Sequence, residues 1–130
     1  MSEGKCRGIW WLLGGVWVVF VVYLSVANLT FPQLGFSFGD KINHLVAYGF
    51  LMGWFGQLVK STSRRMALTV GFIIMGLALE LVQGMLPHRW FDWFDALSNT
   101  LGVLLAVLLL RMGADNIFAW LFTRLLSKGN

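Results

Sequence analysis

The stretch MALTVGFIIMGLALELVQGML, residues 66–86, is 21 residues long and contains a single charged side chain, that of Glu80. A helix of this length rises about 30 Å, which matches the apolar thickness of a bilayer. A carboxylate inside such a segment is costly unless it is paired, hydrated or protonated. The stretch therefore predicts a membrane-spanning helix, and it marks Glu80 as a candidate functional residue.

The rest of the chain has the same apolar character. Of its 130 residues, 58% are hydrophobic and only 12% are charged, whereas a soluble domain carries about 25% charged residues. We therefore predict one all-α, polytopic membrane domain over residues 1–130. Its predicted elements are four transmembrane helices at about 9–29, 42–59, 66–86 and 94–110, and a short C-terminal interfacial helix at about 116–127.

The basic residues are distributed unevenly over this predicted topology. Lys and Arg in short loops decide which ends of the spans stay in the cytoplasm. Only Lys41 and Arg89 lie on one side, so we predict that both termini are cytoplasmic. Because the basic residues flank apolar runs instead of clustering, no nucleic-acid partner is predicted. The eight residues on the cytoplasmic side are Lys5, Arg7, Lys60, Arg64, Arg65, Arg111, Arg124 and Lys128.

The first apolar run has a second interpretation, a cleavable signal peptide. Lys5 and Arg7 precede the run, and it ends in the small-x-small pattern of Ser25 and Ala27. Its length and its three tryptophans favour a retained helix instead.

Two smaller features concern packing and reactivity. Gly49 and Gly53 form a GxxxG spacing, which predicts a close contact between helices. Cys6 is the only cysteine, so it forms no intramolecular disulfide and belongs to no redox or metal motif.

Polar residues recur near the same, outer end of three predicted helices. Asp40, His44 and Tyr48 lie four residues apart, which places them on one helical face, and Lys41 flanks that face. Glu80 and Gln83 are neighbours three residues apart. Asp92, Asp95 and Asn99 lie three and four residues apart on one face, which Gly102 continues. Three polar faces at one membrane level predict a shared site in the outer leaflet. The members are Asp40, Lys41, His44 and Tyr48 on the second helix, Glu80 and Gln83 on the third, and Arg89, Asp92, Asp95 and Asn99 at the start of the fourth.

These side chains suggest two kinds of role. Carboxylates and imidazole transfer protons, whereas cations, amides and hydroxyls bind ligands. We also expect Lys41 or Arg89 to form the ion pair that stabilises Glu80. In the structural alternative, ion pairs of Asp40 or Glu80 with these cations only hold the bundle together. The candidate catalytic residues are Glu80, His44, Asp92 and Asp95, and the candidate ligand-binding residues are Lys41, Arg89, Asp40, Tyr48, Gln83 and Asn99.

The order of these residues resembles the VanZ-like family. The strings are D-K-x-x-H-x-x-x-Y from Asp40, E-x-x-Q from Glu80, P-x-R from Pro87 and D-x-x-D-x-x-x-N-x-x-G from Asp92. The resemblance implies a small bacterial inner-membrane protein with four helices. The family takes its name from a member associated with resistance to the glycopeptide teicoplanin. The resemblance implies no defined reaction.

Three functions remain open at this stage. The site could bind or modify an anionic envelope lipid or cell-wall precursor, or the protein could be an accessory subunit whose polar core is structural. A homo-oligomer is compatible with either function. The third function is a divalent-metal site, but no H-E-x-x-H or comparable motif is present, and we predict neither a metal nor a cofactor. Its ligands would come from Asp40, His44, Glu80, Asp92 and Asp95.

Overall fold

The computed structural model describes residues 3–27 and 39–127, and in these ranges all regular structure is helical. Four long helices are followed by a short 3₁₀ turn and a final, shorter helix. Their bounds are α1 Glu3–Val26, α2 Gly39–Leu58, α3 Thr62–Gly84, α4 Trp93–Arg111, the turn Ala114–Asn116, and α5 Ile117–Ser127. The all-α prediction is confirmed.

The helix ends differ from the predicted spans by up to six residues, because hydropathy locates apolar segments and not helix caps. Ser61 caps α3, where its hydroxyl accepts a hydrogen bond from the Arg64 N–H at 3.4 Å. Asp92 caps α4 in the same way, accepting from the Phe94 N–H at 2.8 Å. The third and fourth helices therefore begin where a capping side chain stands.

In the part of the chain that the structure describes, three of the four long helices are long and apolar enough to cross a membrane. These are α1, α3 and α4. The prediction of four spans is thus supported for three. The remaining helix, α2, is long enough at 20 residues. It carries Asp40, Lys41, Asn43 and His44 in its first two turns, and these polar residues reduce its apolar character.

The helix α2 lies at the centre of the molecule, where it packs most extensively on α4 and also contacts α1 and α3. A glycine contact sets this packing. A Cβ atom added to Gly102 would collide with the carbonyl oxygen of Leu45, and one added to Gly49 would lie 3.2 Å from the carbonyl oxygen of Gly102. By contrast, Gly53 has no neighbouring atom within 4 Å of such a Cβ. The close contact predicted from GxxxG therefore pairs Gly49 with Gly102.

The helix α5 is held against the end of the bundle that lies away from the polar site. Its Phe118 ring stacks on Trp10, with ring centroids 4.7 Å apart, and meets Trp54 edge-on at 4.9 Å. The Phe118 N–H also donates to Gln57 Oε1 at 2.9 Å. These contacts fasten α5 to the ends of α1 and α2.

Candidate functional site

The predicted polar residues meet where the start of α2, the end of α3 and the start of α4 come together. Lys41 joins α2 to α4, because its ammonium donates to Asp92 Oδ2 and to Asp95 Oδ1, both at 2.9 Å. The hydrogen bond from Lys41, together with that from the Phe94 N–H, holds the pKa of the Asp92 carboxyl below its ordinary value. Lys41 is therefore engaged by α4 and not by Glu80.

Glu80 is buried, with 1% of its surface exposed, and its Oε1 accepts a hydrogen bond from the Asp92 N–H at 2.9 Å. Within the described residues, Oε2 has no hydrogen-bond partner. The expected ion pair of Glu80 with Lys41 or Arg89 is therefore wrong. The physical reason is that the backbone N–H groups at the start of α4 have no partner within that helix. The Asp92 N–H lies beside the end of α3, and the Glu80 carboxylate accepts its hydrogen bond.

This arrangement also explains the position of Asp95. An acidic residue three places after an N-cap commonly folds back onto the N–H of the cap residue. Here the Asp92 N–H donates instead to Glu80, which lies on α3. The Asp95 carboxylate, only 10% exposed, therefore contacts Lys41 and His44.

His44 lies between two helices and faces three polar side chains. Its Nδ1 lies 3.0 Å from Asn99 Oδ1. Its Nε2 lies 3.6 Å from Asp95 Oδ2 and 4.0 Å from Asp40 Oδ1. Asp40 is therefore near His44, and among the described residues it forms no ion pair with Lys41 or Arg89.

Two further predicted residues lie in the same layer. Gln83 is buried and donates from Nε2 to the backbone oxygen of Ser25 at 2.9 Å, which ties α3 to α1. Tyr48 is 2% exposed, and its hydroxyl has no hydrogen-bond partner in the described part of the chain.

A cavity of about 370 Å³ opens beside this cluster. Arg89 lines it, and no carboxylate of the described chain lies within 4.0 Å of this guanidinium. Its apolar lining residues are Val21 and Leu24 of α1 together with Ala47 of α2. Its polar lining residues are Ser25, Asp40, Asn43, His44, Tyr48, Gln83 and Arg89.

The structure thus brings all ten predicted site residues to one end of the bundle, although only five of them line the cavity. Lys41, Glu80, Asp92, Asp95 and Asn99 hold the cluster together behind it. Asn43 and Ser25 also line the cavity, and the sequence patterns did not predict this. Asn43 could have been found as a polar residue inside an apolar run, whereas Ser25 needed the packing of α1.

Apolar helices of membrane-spanning length around a buried polar cluster define the class, a small helical membrane protein. The model of the VanZ/LLP1 family matches residues 10–118, and the chain belongs to this family. It is also similar to an uncharacterised protein of Schizosaccharomyces pombe, with 34% identity over 99 residues. That match covers 72% of this chain and 61% of the relative, so the chain spans less than two thirds of the yeast protein. A comparison with solved structures finds no match.

Proposed function

We propose that the cavity faces the outer side of a bacterial inner membrane and binds or modifies an anionic envelope lipid or a lipid-linked cell-wall precursor. The observation that carries this proposal is Arg89, a guanidinium that lines a cavity with apolar lining residues and has no carboxylate within ion-pair distance in the described chain. Arginine binds phosphate oxygens through two parallel hydrogen bonds. The family name extends the proposal to glycopeptide tolerance through an altered envelope.

The proposal requires that α2 crosses the membrane as the fourth span. The pattern of exposure on α2 supports this. Ile42, Val46 and Phe50, spaced four residues apart, form an apolar stripe that is 41–58% exposed. The polar residues on other faces of α2 contact α4 or line the cavity instead. A helix can therefore present an apolar face to lipid while its average composition is too polar for a span.

The proposed topology places both termini in the cytoplasm. The loop between α2 and α3 contains Lys60, and Arg64 and Arg65 follow in the first turn of α3. These cations lie at the opposite end of the bundle from Arg89. Because basic residues in short loops stay on the cytoplasmic side, this end of the bundle would face the cytoplasm. The cavity at the other end would then open outward.

The cavity combines the features that an amphiphilic ligand requires. Its volume of about 370 Å³ falls within the roughly 300–1,000 Å³ of small-molecule sites. A phosphate would contact Arg89, and acyl or prenyl carbons would lie against Val21 and Leu24. If the site carries out a reaction, His44 is the group best placed for proton transfer, because its ring lines the cavity.

The test is mass spectrometry of envelope lipids and cell-wall precursors in cells that lack the protein. Complementation uses the wild type, Arg89→Ala, and Arg64→Ala as the matched control at the opposite end, all at equal abundance. We expect one lipid class to change in the null strain, and we expect the wild type and Arg64→Ala to restore it while Arg89→Ala does not. Unchanged profiles in the null strain, or full restoration by Arg89→Ala, would refute the proposal.

A second candidate function is an accessory membrane protein whose polar core is structural. It is favoured by the contacts that Lys41, Glu80 and Gln83 make to other helices, since each of these side chains joins two elements of the bundle. In that case substitutions in the cluster would lower protein abundance and leave the lipid profile unchanged.

A further inference from the structure

The polar end of the molecule carries an excess of negative formal charge. Its two cations are outnumbered by carboxylates, and carboxylates that are partly or fully removed from water are costly without a counter-charge. A divalent cation taken up from solution would balance the excess. The groups concerned are the cations Lys41 and Arg89 and the carboxylates Asp40, Glu80, Asp92 and Asp95.

The contacts of His44 show where such a cation fits. The carboxamide oxygen of Asn99 can only accept, so the His44 Nδ1 at 3.0 Å carries the proton in this contact. In the neutral imidazole, Nε2 then presents a lone pair. This lone pair faces Asp95 Oδ2 at 3.6 Å and Asp40 Oδ1 at 4.0 Å. With this tautomer, three acceptor groups therefore converge.

The distances fit three ligands around one ion. A Zn²⁺ ion lies about 2.0–2.2 Å from imidazole and carboxylate ligands, so two of its ligand atoms are about 3.3–3.6 Å apart in tetrahedral coordination. One ligand atom from each of Asp40, His44 and Asp95 lies within 4.8 Å of the other two. The separations at Nε2, 3.6 and 4.0 Å, are too long for direct hydrogen bonds. The Nε2–Asp95 Oδ2 separation has the tetrahedral spacing, and the exposed Asp40 carboxylate needs to move only a few tenths of an ångström closer to reach it.

The surrounding groups hold the ligands in place, as the hydrogen-bond partners of metal ligands commonly do. Asn99 fixes the imidazole through Nδ1, and Lys41 fixes Asp95 through Oδ1, the oxygen that does not face His44. In the same cavity, one turn along α2 from His44, the buried hydroxyl of Tyr48 has no partner within the described chain. Buried hydroxyls of this kind commonly bond to an ordered water.

We propose that Asp40, His44 and Asp95 bind one divalent transition-metal ion, with water from the cavity completing its coordination. The pairing of one imidazole with two carboxylates suits Zn²⁺. Asp40, whose side chain is 52% exposed, provides the route of entry. The ion adds positive charge to the cavity, but its binding does not require the lipid proposed above. A bound ion occupies the His44 Nε2 lone pair, so proton transfer by this ring belongs to the metal-free site.

The test is calorimetric titration of the purified full chain in detergent with Zn²⁺ alone, after removal of any affinity tag and treatment with EDTA. Bound zinc is then counted by elemental mass spectrometry after desalting. We expect one ion per chain. We expect Asp40→Asn and His44→Gln to weaken binding about tenfold or more, as loss of a ligand does. Asp115→Asn, the same change at the opposite end of the bundle, is the matched control and retains wild-type affinity.

Asp40→Asn is the decisive variant, because the Asp40 side chain makes no hydrogen bond within the described chain and its loss leaves the helices packed. Absence of saturable Zn²⁺ binding in the wild type would overturn the proposal. Equal affinity of Asp40→Asn and Asp115→Asn would overturn it as well. The zinc titration contains no added envelope lipid, and the lipid comparison in cells tests Arg89, which is not a proposed zinc ligand. Either proposal can therefore fail while the other stands.

Discussion

The contact between Gly102 and α2 makes a strong prediction about stability. Gly102→Ala adds one methyl group at the point where α4 lies against the backbone of α2. The new Cβ would overlap the Leu45 carbonyl oxygen and lie 3.0 Å from the backbone nitrogen of Gly49. Backbone atoms cannot rotate away as a flexible side chain does, so the two helices must move apart.

The size of the effect follows from two opposing terms. Overpacking of a close contact costs about 1–3 kcal/mol. Replacement of glycine by alanine inside a helix raises the free energy of unfolding by up to about 1 kcal/mol, because alanine has the higher helix propensity. The matched control is Gly53→Ala, since Gly53 is also helical but has no atom within 4 Å of an added Cβ. Both variants share the gain in helix propensity, so we expect Gly102→Ala to be about 1–3 kcal/mol less stable than Gly53→Ala, and Gly53→Ala to be neutral or stabilising relative to the wild type.

The assay is unfolding of the purified chain in mixed micelles with increasing SDS, followed by circular dichroism. The separation of α2 from α4 also lengthens the His44–Asn99 contact, which lies one turn from Gly102, so zinc affinity should fall in the same variant. Equal unfolding midpoints for Gly102→Ala and Gly53→Ala would refute the glycine contact as the determinant of this packing.

Three other substitutions test the polar cluster and the α5 contact. Lys41→Ala leaves Asp92 and Asp95 without their shared cation, and we expect a loss of about 1–3 kcal/mol in the SDS assay. Because the pKa of Asp92 is lowered, its part of this contribution is present at neutral pH and is lost as the pH falls through the lowered value. Glu80→Gln keeps an oxygen that accepts from the Asp92 N–H, whereas Glu80→Ala leaves that N–H unpaired. We expect Glu80→Ala to cost about 1–3 kcal/mol more than Glu80→Gln in membrane-extract melting curves. Phe118→Ala removes the ring contacts that hold α5, so trypsin should cleave after Arg124 faster than in the wild type, and equal rates would contradict this role.

Much of the helical framework could be predicted from local patterns. The run from 66 to 86 predicted α3, and the spacing of Asp95, Asn99 and Gly102 predicted one face of α4, which is the face that the structure buries. These predictions succeeded because helical periodicity and bilayer thickness act on short segments, independently of how the segments later pack.

The partners of individual charges could not be predicted in the same way. Glu80 was expected to bind a cation and instead accepts from a backbone N–H, because the loop after α3 returns the start of α4 to its side chain. Asp92 was predicted to share the helical face of Asp95, whereas it lies just before α4 and caps it. Such pairings depend on where a helix begins and how it is rotated, which hydropathy does not encode.

The sequence by itself determined the helical class, the family and the level in the bundle at which the polar residues gather, since each depends on residue types at fixed spacing. Only the tertiary structure decided that Lys41 joins Asp92 to Asp95, that Arg89 lines the cavity, and that His44 faces two carboxylates. The physical reason is the approach of α2 to α4 at Gly49 and Gly102. Because glycine has no side chain, this contact brings the two backbones close together and fixes the rotation and register of α2 and α4. The positions of the polar groups at the start of both helices depend on that register.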